Sequence, residues 1–137
     1  PSSAASDVYK RQVEGLIVYR GNEAYVVMNL YPYNAGHLLI CANRHVADLT
    51  DLSDSERNEI MSLSAHAMKT LRKVANASGF NLGMNQGAIS GAGVAEHIHQ
   101  HVVPRWAGDA NFMPLIGQTK VLPQLLQETR DALAADW

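Results

Sequence analysis

The spacing of hydrophobic positions changes several times along the chain, and each change marks an element. Leu16-Ile17-Val18-Tyr19 and Ala24-Tyr25-Val26-Val27-Met28 are rich in β-branched and aromatic residues and flank the turn formers Arg20-Gly21-Asn22. This predicts a β-hairpin, with Gly21 supplying the positive φ of a tight turn. Asn29 to Gly36 reads as a loop, and His37-Leu38-Leu39-Ile40-Cys41 as a strand apolar enough to be covered on both faces. Ser53 followed by Glu56 has capping-box spacing, and Ile60, Leu63, Ala67, Leu71 and Val74 then recur at steps of three and four. A long amphipathic helix follows, with Gly79 as its left-handed terminator.

Phe80 to Asn85 is the next predicted strand. The glycine-rich loop Gln86 to Gly93 follows it, and a further strand covers residues 97–103. Pro123 suits a helix start, and Leu125, Leu126, Thr129 and Leu133 give a C-terminal amphipathic helix. Residues 1–14 read as a flexible or partly helical lead-in to one domain over 15–137. Strands gathered around one long helix predict an α+β fold: a mainly antiparallel five-stranded sheet packed with that helix and the C-terminal one.

Composition narrows the function classes. The 137 residues are 47% hydrophobic and 18% charged, as in an ordinary globular domain. A net charge of −2 gives no reason to expect nucleic acid or an anionic membrane as partner, so phosphate affinity has to come from a local site. The single cysteine, Cys41, lies in an apolar run and reads as a buried, inert thiol. No apolar stretch reaches the ~18 residues of a membrane span. Pro1 to Ser6 hold no apolar core of the secretory type, and a cytoplasmic location is expected.

The candidate chemistry is concentrated in His97-Ile98-His99-Gln100-His101. On a strand, alternate side chains share a face, so His97, His99 and His101 line one side and Ile98, Gln100 and Val102 the other. Histidine serves as nucleophile, acid or base near neutral pH. Solvated surface histidines are one alternative reading. A metal site is another, because alternate histidines on a strand can reach one ion. The glycine-rich loop shifts the balance, since backbone amides of such a loop can converge on an anion. Together they point to an imidazole attacking a bound phosphate. His66, off the apolar stripe, reads as a boundary residue, and His45 as an exposed loop residue.

The run His97-Ile98-His99-Gln100-His101-Val102-Val103, followed by Pro104-Arg105-Trp106, resembles the signature of the histidine triad (HIT) superfamily, with Gln100 at a position that is usually apolar. Asn29, Asn34-Ala35-Gly36-His37, Arg44-His45-Val46 and Trp106 to Phe112 extend the likeness over about residues 16 to 115, toward actinobacterial HIT proteins related to diadenosine tetraphosphate phosphorylase. The resemblance implies a HIT-like domain that cleaves dinucleoside polyphosphates, with a nucleotidyl-histidine intermediate on His99 and inorganic phosphate as acceptor. His101 would bond the phosphoryl or bridging oxygen, with His97 and His37 in support. Gln86 and the backbone of Gly91, Ala92, Gly93 and Val94 would hold phosphate, and Asn29 the nucleoside. Trp106 could stack on a second base or on a partner subunit, with structural burial the alternative, and Asp109 and Asn111 could contact the leaving nucleotide. Gly93, where the hydrolase branch carries glutamine, points away from a triphosphate hydrolase. No metal ligand or other cofactor is required at the triad, although a divalent cation could accompany the polyphosphate. A homodimer or higher homo-oligomer is implied. Hydrolysis of dinucleoside polyphosphates or of nucleoside phosphoramidates is the alternative activity, and a metal-binding or nucleotide-sensing module the non-enzymatic one.

Overall fold

The structure, a computed structural model, describes residues 13–90, 97–109 and 122–137. Its five-stranded sheet is built from β1 (Ile17–Arg20), β2 (Ala24–Met28), β3 (Leu38–Ala42), β4 (Gly79–Gly83) and β5 (His99–Arg105), in the order β1-β2-β3-β5-β4. Every pairing is antiparallel. Helix α1 (Asp54–Ala75) covers one face of the sheet, and α2 (Leu122–Ala135) packs beside β1 and α1. The expected α+β architecture is therefore present.

The start of α1 follows from its sequence. Ser53 accepts from the Glu56 amide at 3.1 Å, and the Glu56 carboxylate accepts from the Ser53 amide at 2.8 Å. Arg44 also bonds Glu56, and this pairing holds its carboxyl well below the usual range. Ile60, Leu63, Ala67 and Leu71 are buried against the sheet. Each such leucine or isoleucine contributes roughly 1.5–3 kcal/mol. On the sheet, the inward set is Ala24, Val26, Leu38, Ile40, Ala42 and Val102, all fully buried. Gln100 also faces inward, and its side-chain amide donates to Ser64 Oγ at 3.5 Å, so a polar residue is accommodated behind the histidine strand.

Several local expectations are corrected. The helix ends on Asn76, whose φ of 54° makes it the left-handed residue, while Gly79 opens β4. Asparagine tolerates that region through local hydrogen bonding. The β4 strand begins one residue earlier than expected and stops at Gly83, and β5 begins at His99 rather than residue 97. The Ile98 amide donates to the Val46 carbonyl at 2.7 Å, which draws the chain out of the sheet just before His99. In α2, Leu126 and Leu133 are buried, but Leu125 is exposed. The lead-in over residues 1–12 lies outside the described residues.

Gly21 has no positive φ. A Cβ there would stand 2.8 Å from a Glu59 carboxylate oxygen and 2.9 Å from the Ala24 carbonyl oxygen. That carboxylate accepts from the amides of Glu23 and Ala24, each at 2.6 Å, tying the hairpin to α1. Close approach is the requirement. Gly21→Ala is accordingly expected to destabilise the fold by about 1–3 kcal/mol, the usual range for overpacking, read as a lower urea midpoint with unchanged slope.

Candidate active site

The face of the sheet opposite α1 carries the histidines. Register places Leu39 and Gly83 opposite His101, and Cys41 opposite His99. Cys41 is buried, and burial pushes its thiol up to about 11, so the thiol is inert. His97 precedes the strand but remains on this side, with its ring 6.4 Å from that of Tyr25 and 5.1 Å from that of the exposed His45. The rings of His99 and His101 lie 5.0 Å apart, nearly edge to face.

Partners that can act in only one way assign the tautomers. The carbonyl of His97 can only accept, so His99 donates to it through Nδ1 at 2.9 Å. His99 Nε2 then carries the lone pair. The Tyr33 amide can only donate, and it lies 3.0 Å from His37 Nδ1. His37 therefore carries its proton on Nε2, which donates to His101 Nδ1 at 2.8 Å. His101 is left with its own proton on Nε2. His97 Nε2 donates to the Ala42 carbonyl at 2.7 Å, fixing the turn that precedes the strand. Side by side stand a nitrogen lone pair on residue 99 and an N–H donor on residue 101.

Electrostatics support neutral rings in this relay. His37 is fully buried, and burial, reinforced by His101 and His99, lowers its pKa to about 4. Burial, followed by the neighbouring His99 imidazole, lowers that of His101 as well. A charged His37 would carry an N–H on both nitrogens, and its Nδ1 already faces the Tyr33 N–H.

The loop bearing His37 is held in place from β5. Gly36 turns with φ +81°, and a Cβ on it would meet the Leu71 side chain at 3.1 Å. Asn34 is buried; its side-chain amide donates to the Pro104 carbonyl at 3.0 Å and to Asp109 Oδ2 at 2.7 Å. The Asp109 carboxylate also accepts from both Nε and Nη2 of Arg105 and from the Trp106 amide. These contacts keep its carboxyl strongly acidic, with the Arg105 hydrogen bond first among the causes. Asp109, expected near the leaving nucleotide, anchors the His37 loop and also lines the cleft beside His101.

Other predicted site residues are placed as follows. The Asn29 side-chain amide lies 3.4 Å from the His37 ring nitrogens, and its Oδ1 accepts from the Tyr31 amide. Gln86 accepts from the Leu49 amide at 2.8 Å and so clasps the segment ahead of α1. The Trp106 indole donates to the carbonyls of Ala75 and Asn76, which seats the ring at the end of α1 instead of in the cleft beside His101. His66 is half-buried against Trp137, and its Nε2 lies 2.6 Å from the Trp137 carbonyl oxygen. Gly91, Ala92, Gly93, Val94 and Asn111 lie outside the described residues. Among the described residues, no group of three or more His, Cys, Asp or Glu side chains is arranged to hold a metal ion. No described helix is long and apolar enough to cross a membrane.

Sequence reasoning missed Tyr33 and Asn34. Tyr33 acts through its backbone amide, which leaves no mark on residue type. The sequence signal for Asn34 was its place in a turn, and its partner Asp109 lies 75 positions away.

An α+β domain with two imidazoles of opposite polarity on one strand is equipped for histidine-based group transfer. The HIT domain family model matches residues 10–108, and the chain belongs to that family. It is 51% identical over 124 residues to the AP-4-A phosphorylase of Mycobacterium tuberculosis (strain CDC 1551 / Oshkosh), covering 90% of this chain and 64% of that protein. It is 32% identical over 107 residues to the asymmetrical bis(5'-nucleosyl)-tetraphosphatase of Schizosaccharomyces pombe, covering 78% of this chain and 58% of the relative. The chain thus spans less than two thirds of either relative. A zinc-bound histidine triad family protein from Mycobacterium smegmatis has the same fold, with a TM-score of 0.72 at 24% identity over 98% of this chain and 94% of its own.

Proposed function

We propose that the chain cleaves dinucleoside polyphosphates, diadenosine tetraphosphate in particular, by passing a nucleotidyl group through His99 to inorganic phosphate. The observation that carries this reading is the paired polarity of the two imidazoles. His99 offers a lone pair on Nε2 because the His97 carbonyl holds its Nδ1 proton. His101 offers an N–H on Nε2 because His37 donates to its Nδ1. In the first step a bond forms from His99 Nε2 to the α-phosphorus, and the bond from that phosphorus to the bridging oxygen breaks, releasing ATP. His101 donates to the oxygen on which charge develops. In the second step phosphate attacks the same phosphorus, the N–P bond breaks, and ADP leaves. Dividing one displacement into two gives each step a positioned partner.

The choice of substrate and acceptor leans on the name of the Mycobacterium tuberculosis relative. Gln86, Asn29 and the backbone of residues 91–94 remain assigned to substrate, and a divalent cation could accompany the polyphosphate. The assembly proposed is a homodimer in the cytoplasm. Water is the closest competitor for the intermediate, as the name of the Schizosaccharomyces pombe relative illustrates. Incubation with diadenosine tetraphosphate, with and without phosphate, separates the readings. ADP and ATP formed only in the presence of phosphate support a phosphorylase. AMP and ATP formed without phosphate replace it with a hydrolase. No turnover under either condition would leave a nucleotide-sensing module.

A further inference from the structure

A cleft of about 580 Å³ opens beside the histidines and is lined by His101 but not His99. Tyr33 forms one wall, Leu82 and Val103 supply apolar surface, and Asn81 and Asn85 bring side-chain amides. Tyr33 stacks one ring face on His37, with centroids 5.4 Å apart and planes inclined by 19°, yet remains 67% exposed. Its ring centre lies 6.5 Å from that of His101. A large aromatic side chain pinned on one face and open on the other is a ready stacking surface. Nothing in the histidine relay calls for that ring, since the relay uses only the Tyr33 amide.

The side of the site on which the cleft lies identifies its occupant. In-line displacement sends the leaving group away from the nucleophile, and in the proposed reaction His101 is the donor to the departing oxygen. A leaving nucleotide therefore departs past His101, where the cleft begins. Asn81 Oδ1 accepts from Arg105 at 2.7 Å, which leaves its NH₂ as a donor for the edge of a base. Arg105 is neutralised by Asp109, so the cleft is polar rather than strongly cationic, as suits a base and ribose better than a phosphate chain.

We propose that this cleft is the subsite for the second nucleoside of the dinucleotide, with its base stacked on Tyr33. The inference rests on the functional reading above and adds the subsite to it. Base–aromatic stacking is worth ~1–3 kcal/mol by alanine substitution. The test compares diadenosine tetraphosphate with adenosine 5′-tetraphosphate, which has the same phosphate chain but no second nucleoside. Wild-type protein is expected to favour the dinucleotide in kcat/KM, mainly through KM. Tyr33→Ala and Tyr33→Leu should reduce that preference roughly tenfold or more, while Tyr33→Phe keeps it. Tyr31→Ala should also keep it, because Tyr31 is 82% exposed on the same loop outside the cleft lining. An undiminished preference in active Tyr33→Ala or Tyr33→Leu protein overturns the subsite. Wild-type protein that turns over neither compound overturns the functional reading instead.

Discussion

His99→Ala is expected to lower kcat on diadenosine tetraphosphate by roughly 10⁴–10⁶-fold, the range seen when a covalent nucleophile is removed from a hydrolase. Binding of the nucleotide should survive within a few-fold. The reason for the split is local. Residue 99 supplies the only lone pair of the pair, whereas the His101 N–H depends on His37 and the Tyr33 amide, which the substitution does not touch. The cleft beyond His101 is not lined by His99, so its contacts also persist. Rapid quenching of wild-type protein during turnover, followed by mass spectrometry, should find one nucleotidyl group on His99 and none in the variant. Turnover within tenfold of wild type in His99→Ala would show that another group attacks phosphorus. His99 would then be a positioning residue.

The elements that could be read from the sequence are those whose cause is local. The Ser53–Glu56 capping box needs only residues three apart, and it forms as expected. The hairpin and the buried third strand follow from runs of β-branched and apolar residues, and both are present. The errors arise where a distant contact decides. Gly21 is required by Glu59 on another element, not by its own φ. The strand start shifts to His99 because Ile98 pairs with Val46 in a loop. Trp106, left open between stacking and burial by its residue type, is seated by carbonyls at the end of α1, again through a long-range contact.

The site divides in the same way. That His99 and His101 share a face follows from strand alternation, and Ile98, Gln100 and Val102 are buried behind them. The protonation pattern could not be read. It is set by two backbone groups, the His97 carbonyl and the Tyr33 amide, and by a histidine 64 positions from its partner. Asn34 and Asp109 hold that loop through a contact of 2.7 Å, between residues whose individual types suggested a turn and a ligand.

Acidification should destabilise the fold through His37 before the carboxylates take part. In the unfolded chain this imidazole takes up a proton near its ordinary value of 6.5, whereas in the folded chain it resists protonation down to about 4. Between those values the unfolded state binds more protons, so stability rises with pH across that window and falls as pH is lowered through it. The gap corresponds to about 3 kcal/mol, lost in full only below pH 4. His101, lowered by burial and by His99, adds loss of the same sign. Glu56 and Asp109 are depressed by Arg44 and Arg105, so their stabilisation is lost only at lower pH. Urea unfolding at intervals from pH 4 to 7 should show a steep fall for wild-type protein. His37→Gln should be less stable at pH 7 yet markedly flatter across the same range, because the unfolded chain no longer gains that proton. The same protonation would place a second N–H opposite the Tyr33 amide and break the bond that fixes the His101 tautomer. Equal slopes in wild type and His37→Gln would mean that His37 is not held neutral in the fold, and the polarity assigned to His101 would fall with it.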